Sequence, residues 1–290
     1  MNLSNDNLII LGEALRGLKY TSSLLNSHER TRYFCDMEND IGTLLFQDPD
    51  NYYPPTPPPT SQIYVMLSGQ IITLHLVGHS PLEGHLLWNG GRAVSKYLET
   101  HCLEVAGKTV LELGAGSGLP SLVSAILGAR KVVVTDFPDA DLIDNLWRNI
   151  GECNRLAGDN SGRNEATIIA EGFVWGGNAE PLLSNIRPDS GFDLIILADL
   201  LFRHSEHRKL VTTIEATMKR DSGSKALVFF TSYRPWLQSK DLTFFDVAKE
   251  RGFITKQVLE KKMDEAMFPN DPGDEDIRKT IKGYVLQWAT

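Results

Sequence analysis

The sequence predicts a doubly wound, mostly parallel α/β sheet closed by an antiparallel C-terminal hairpin. Short apolar strand-like runs alternate with helical patterns from about residue 84 onward, which is the signature of strands laid side by side with crossover helices. A glycine-rich turn joins the first of these strands directly to a helix. The last two strand-like runs, 253–259 and 283–288, read as long-range antiparallel partners at the end of the sheet.

Residues 1–36 look like an appendage, with a short helical pattern around 8–18 and a polar stretch at 21–32, and Met37 offers a second plausible beginning. Pro54, Pro55, Pro57, Pro58 and Pro59 favour extended polyproline geometry, and the bland reading is a stiff linker. Strands at 62–66 and 70–77, joined through Ser68 and Gly69, form a hairpin expected to pack beside the sheet as a lid or extra edge. A helix follows at 84–103, with Leu86, Leu87, Val94, Tyr97 and Leu98 available for a buried face and with Gly90 and Gly91 interrupting it. Residues 109–150 read as strand, loop, helix, strand, helix. Further strands are expected at 166–170, 192–198 and 226–232, and helices at 204–219 and 242–251. This division gives an N-terminal extension over 1–43, expected to be poorly ordered, a proline-rich segment with hairpin over 44–83, and the α/β domain over 84–290.

At 290 residues and 42% hydrophobic content the chain can bury a substantial core. Its longest apolar runs are strand-sized, so no membrane-spanning segment and no secretory signal is expected. Three scattered cysteines, Cys35, Cys102 and Cys153, form no C-x-x-C pair, which speaks against a disulfide framework or thiolate zinc site and for a reducing, cytoplasmic setting. Lys+Arg 29 against Asp+Glu 37 leaves a formal charge of −8, a field that suits a basic protein partner or small cation better than nucleic acid. A monomer is expected.

Within the 109–150 unit, Val110, Leu111 and Leu113 run into Gly114, Gly116 and Gly118, and Leu119, Leu122, Val123 and Ile126 start a helix at once. Glycines there let the backbone approach a ligand, and Asp136 ends the next strand, where a carboxylate can accept both hydroxyls of a ribose. The dinucleotide fingerprint G-x-G-x-x-G needs a third glycine at 119, which is Leu119. With Glu112 two residues before Gly114, the run E-L-G-A-G-S-G has the E-x-G-x-G-x-G form and resembles motif I of class I S-adenosylmethionine-dependent methyltransferases. That resemblance implies a Rossmann-like seven-stranded sheet and S-adenosyl-L-methionine as cofactor. A dinucleotide site or a bare glycine turn stays open on the spacing alone.

In an open α/β sheet the ligand lies beyond the carboxyl ends of the strands, which singles out Phe137, Trp175, Asp199 and the run 232–235. Phe137 and Trp175 each offer a face to an adenine ring, and Trp175, beside Gly176 and Gly177, is favoured. Asp199-Leu200-Leu201-Phe202 resembles the D-x-x-[FY] element of seven-strand protein lysine methyltransferases, where it borders the substrate amine. Asp199 is therefore the candidate catalytic residue, against the plain alternative of a turn or helix-capping acid. His204 and His207 supply too few ligands for a metal, and none is expected.

The segments SPLEGHLLWNGGRAVSKYL, VVVTDFPDADLIDNL, ADLLFRHSEH, YRPWLQSKDLTFFDVAKERGF and MFPNDPGDEDIRKTIKGYVLQW together look like the fungal N-terminal and lysine methyltransferases of translation elongation factor 1-alpha. The similarity runs from about residue 44 to the C-terminus. It implies a cofactor site formed by Trp88, Gly114, Ala115, Gly116, Asp136, Trp175 and Ala198, beside the Glu112 and Gly118 of the motif, and elongation factor 1-alpha as protein substrate. Glu83 stands where the family leads us to expect a large aromatic, and Arg203 where it leads us to expect asparagine, both on the substrate side. A small-molecule, nicotinamide-type N-methyltransferase and a catalytically silent S-adenosylmethionine-binding module are the competing readings.

Overall fold

Within each central strand, successive side chains feed opposite faces of the sheet. Val110, Val132, Val134, Leu194, Ile196, Leu227 and Phe229 belong to one apolar core, and Leu111, Leu113, Val133, Ile195, Leu197, Val228 and Phe230 to the other. Buried on both sides, such strands need helices on both faces, which is what a parallel sheet with crossover helices provides. The computed structural model describes residues 55–157 and 168–289. The expected features at 8–18, 21–32, Cys35, Met37 and Pro54 lie outside them.

The strands are β1 (Thr60–Val65), β2 (Ile71–Leu76), β3 (Thr109–Leu113), β4 (Lys131–Asp136), β5 (Ile168–Gly172), β6 (Leu194–Ala198), β7 (Lys225–Thr231), β8 (Phe253–Lys262) and β9 (Thr280–Trp288). Seven of them form one sheet in the order β5-β4-β3-β6-β7-β9-β8. The first five run parallel, while β9 lies antiparallel between β7 and β8. The C-terminal pair is thus present as expected, with the last strand inserted inside the edge strand β8. Helices α1 (Asn89–Thr100), α2 (Leu119–Ile126) and α3 (Ala140–Ala157) pack on one face through Val94, Leu98, Leu119, Leu122, Val123, Leu146 and Ile150. On the other face lie α4 (Glu180–Ser184), α5 (His207–Thr217) and α6 (Gln238–Glu250), packed through Leu182, Leu210, Val211, Ile214, Phe244 and Ala248. A short α7 (Glu275–Arg278), capped by the Asp274 carboxylate, precedes β9.

Two expectations need correction. The helix expected over 84–103 begins only at Asn89, because the Gly90 amide is tied to the Asp199 carboxylate and the preceding residues form an irregular strap. The hairpin is not an extra edge of the main sheet but a separate two-stranded sheet seated on helices. Its seat on α1 is polar: the Tyr64 hydroxyl donates to Glu99 Oε1 at 2.6 Å, and the Leu67 amide donates to the same carboxylate. Its seat on α3 is Asn149, 1% exposed, whose Oδ1 accepts the His75 amide at 2.8 Å while Nδ2 donates to the carbonyls of His75 and Ser117.

Asn149 therefore joins the hairpin, α3 and the glycine turn in one group. Asn149→Ala should lower the unfolding free energy by about 2 kcal/mol, because buried backbone groups lose their partner. Urea denaturation reads that loss, and hydrogen exchange should show the His75 amide losing protection.

Candidate active site

Three strands of the parallel sheet end in or beside a carboxylate, and the site is built around these groups. In β3, Glu112 is 1% exposed and its Oε2 accepts the Ser121 amide at 2.9 Å and the Ser121 hydroxyl. Ser121 is the third residue of α2, which starts at Gly118 with no side-chain cap of its own and with proline in its first turn. Glu112 thus takes the place of a local cap, supplying an acceptor to the positive end of the helix. Burial pushes its carboxyl up to about 8, against the opposing pull of the Ser121 hydrogen bonds.

Asp136, at the end of β4, accepts the Gly116 amide at 2.6 Å and the Phe137 amide at 2.7 Å. Burial raises its carboxyl above the ordinary range, while these two amides pull it back. The turn they hold has Gly114 at φ 60° and Gly116 at φ 55°, a region that side chains with a Cβ enter only under strain. A Cβ on Gly114 would sit 2.8 Å from Leu200 and 2.9 Å from Trp175. Gly118 belongs to the same turn but faces Leu146 of α3, so it shapes the helix start and does not line the cavity.

Above this turn lies a cavity of about 340 Å³, within the size range of small-ligand sites. Glu112, Gly114, Ala115, Gly116, Asp136, Trp175 and Ala198 line it on the turn side, and Trp88, Asp199, Phe202 and Arg203 at the other end. The sequence-designated residues therefore meet in one place, except Gly118 and the run 232–235, which do not line the cavity. The strap running from Leu82 to Trp88 contributes to the lining, and the Trp88 indole donates to the Glu83 carbonyl at 3.0 Å. Phe137, 47% exposed, lines the cavity together with Trp175, so both aromatic candidates are present.

Asp199, 3% exposed, follows β6 and has φ 54°. Its Oδ1 accepts the Thr231 amide at 2.8 Å, and its Oδ2 accepts the Gly90 amide and the Tyr233 hydroxyl, the latter at 3.2 Å. The carboxylate thus caps α1 from a distance and also faces the cavity, combining the capping and chemical roles that the sequence left as alternatives. Burial pushes it up to about 6, with Asp241 adding to the rise and the three donors opposing it. Gly90 is required here: a Cβ would lie 2.6 Å from the Asp199 oxygen. Among the described residues the only non-glycine positions with positive φ are Glu83 at 65° and Asp199 at 54°, and both line the cavity. Such local strain concentrates where a fold must place particular groups.

Sequence reasoning missed the strap and an aromatic cluster at the cavity's far end. Trp88 stacks on Phe202 at 5.9 Å and meets Tyr233 and Phe268 edge-on at 5.1 and 5.8 Å, and Tyr233 meets Phe268 at 5.6 Å. These rings come from four distant segments, so no local pattern announces them. His204 pairs with Asp241 at 2.7 Å, and His207 hydrogen-bonds the Leu201 carbonyl. Neither belongs to a metal-ligand cluster among the described residues.

The pH dependence of stability follows from Glu112. Its native carboxyl, pushed up to about 8, holds a proton more tightly than the unfolded chain does. The stabilisation from that proton is complete below the ordinary carboxyl range and is lost as pH rises toward about 8. Glu112→Gln keeps an acceptor for Ser121 and removes the titration. Urea denaturation across this window should show the variant's slope reduced by up to about 1.4 kcal/mol per pH unit, one proton's contribution. Identical slopes in variant and parent would contradict this.

The lysine methyltransferase family model matches residues 78–251. A protein N-terminal and lysine N-methyltransferase of Neurospora crassa is 58% identical over 250 residues, covering 85% of this chain and 88% of that protein. One from Gibberella zeae is 53% identical, covering 84% and 94%. A Streptococcus mutans protein solved as an S-adenosylmethionine-dependent methyltransferase superposes with a TM-score of 0.53 at 13% identity, over 78% of this chain and 55% of its own, a likeness of fold alone. By its sequence, the chain belongs to the family of fungal protein N-terminal and lysine N-methyltransferases.

Proposed function

We propose that this chain transfers methyl groups from S-adenosylmethionine to the N-terminal amine, and then to an adjacent lysine, of translation elongation factor 1-alpha in the cytoplasm. The observation that carries the reading is one cavity lined both by a glycine cradle with Asp136 and by a buried Asp199 beside the Trp88 and Phe202 rings. Family membership supports a protein amine as acceptor, and the five sequence segments described above support elongation factor 1-alpha.

The residues fit the cofactor. The glycine turn, at positive φ and without Cβ atoms, leaves its backbone open to a ligand, and the Asp136 oxygens lie at the strand end where a ribose is held. Apart from Glu112, whose carboxyl, pushed up to about 8, is largely protonated at neutral pH, four acids, Glu83, Asp136, Asp199 and Glu206, line the cavity against two cations, Arg203 and Lys209. That balance favours a cationic ligand over the pyrophosphate of a dinucleotide. When bound, S-adenosylmethionine supplies an activated methyl group on a sulfonium.

The chain's own task is to align a neutral amine, keep water out and manage the departing proton. Asp136 and the glycine turn hold the nucleoside end. The strap from Leu82 to Trp88 excludes solvent, while Trp88 and Phe202 present aromatic faces to the amine. Such faces stabilise a cation, and more strongly once it is desolvated. Asp199, ionised above about 6, accepts a hydrogen bond from the acceptor and draws its proton away from the line of attack.

Asp136→Ala should weaken cofactor binding at least about tenfold, as expected when a charged hydrogen-bond acceptor is removed. Calorimetry checks this, and equal affinities would count against the assigned site. For the acceptor, purified elongation factor 1-alpha treated with enzyme and cofactor should gain methyl groups at its N-terminus by mass spectrometry. Methylation confined to nicotinamide, or an unmodified factor in the presence of cofactor-bound enzyme, would refute the assignment.

A further inference from the structure

We infer that Tyr233 is a positioning residue for methyl transfer, holding the Asp199 carboxylate and the Trp88 ring in the arrangement that receives the acceptor amine. The inference rests on the methyltransferase reading above. Tyr233 lies two residues beyond β7, and its hydroxyl donates to Asp199 Oδ2 at 3.2 Å. Its ring meets Trp88 edge-on at 5.1 Å and Phe268 at 5.6 Å. Trp88 immediately precedes α1, and the Gly90 amide of that helix reaches back to the same Asp199 oxygen. Asp199, Gly90, Trp88 and Tyr233 thus close a ring of contacts around the acceptor end of the cavity.

Within that ring Tyr233 is the adjustable member. Two of the three donors to Asp199 are backbone amides, from Gly90 and Thr231, which no side-chain replacement removes. The third is the Tyr233 hydroxyl, which supports the ionised carboxylate against burial and against nearby Asp241, itself paired with His204. The other charged groups facing this space are Glu83, Glu112, Asp136 and Glu206, with Arg203 and Lys209 as the cations. Tyr233 is absent from the cavity lining, so it acts through Asp199 and Trp88 rather than by touching substrate.

The same geometry shows why Asp199→Asn is a poor probe. Both carboxylate oxygens accept backbone N–H groups, so an amide NH₂ there would face a donor and disturb the fold. Tyr233→Phe keeps the ring against Trp88 and removes only the hydroxyl. The direction follows from linkage: with one donor gone, the Asp199 carboxyl titrates higher and a smaller fraction is ionised at a given acidic pH.

The test is the pH dependence of methyl transfer from labelled S-adenosylmethionine to elongation factor 1-alpha, with parent, Tyr233→Phe and Tyr233→Leu compared. For Tyr233→Phe the acidic limb of kcat should move up by about one pH unit, with cofactor affinity within about twofold of the parent. Tyr233→Leu, which also frees Trp88, should lose turnover at every pH. A Tyr233→Phe profile that superimposes on the parent's overturns the proposal, as does a uniform loss without displacement of the limb, since that is the mark of a merely structural role. A parent enzyme that binds cofactor but methylates no protein would instead sink the functional reading, and the proposal with it.

Discussion

A carboxylate buried at the end of a strand costs several kcal/mol of lost hydration unless donors reach it, and this fold meets that condition three times with backbone amides. Glu112 receives Ser121, Asp136 receives Gly116 and Phe137, and Asp199 receives Gly90 and Thr231. Apart from the Thr231 amide at the end of β7, each of these amides belongs to a turn or helix start. The acids therefore serve the fold and the site together. They satisfy orphan N–H groups at the mouth of the sheet and, by doing so, fix the glycine turn and the first turn of α1 around one cavity.

This double use explains the backbone strain. Gly114 and Gly116 adopt positive φ without penalty, but Asp199 does so with a side chain. The strain is tolerated because the residue is over-determined: its amide donates to Phe229, its two oxygens accept three donors, and Gly90 has no Cβ to obstruct the approach. Glu83 is held comparably, with its carbonyl engaged by the Trp88 indole. The two strained non-glycine positions thus both line the cavity, whereas the turn held by Asp136 is built from glycines.

That asymmetry also accounts for what the sequence disclosed. The cofactor end is local: Glu112 to Gly118 and Asp136 lie within one strand–turn–helix–strand unit, so spacing alone brings them together. The parallel sheet was legible for the same reason, since short apolar runs, each local in sequence, alternate with helical patterns. The acceptor end is assembled from Trp88, Asp199, Phe202, Tyr233 and Phe268, which share no sequence neighbourhood. The start of α1 was misplaced for a related cause: the amide that defines it is capped by Asp199, 109 residues away. Likewise the hairpin's polar seats on Glu99 and Asn149 depend on pairings no local pattern contains.

The chemistry asked of the acceptor end differs between the two proposed targets. A free α-amine titrates near 7.7–8.0 and lysine near 10.4, so stripping the proton from lysine is harder by about 2.5 pH units, or about 3.4 kcal/mol. The acids lining the cavity work against deprotonation, because they favour an ammonium. Burial of Asp199 moderates this, since a carboxyl pushed up to about 6 is a stronger base than a solvent-exposed one. The aromatic faces of Trp88 and Phe202 act on the other side of the balance by stabilising each methylated cation as it forms. An N-terminal amine can therefore react with modest help, whereas a lysine requires Asp199 ionised, oriented and shielded from water. The quality of that one carboxylate's environment is what allows a single cavity to extend from the easier amine to the harder one.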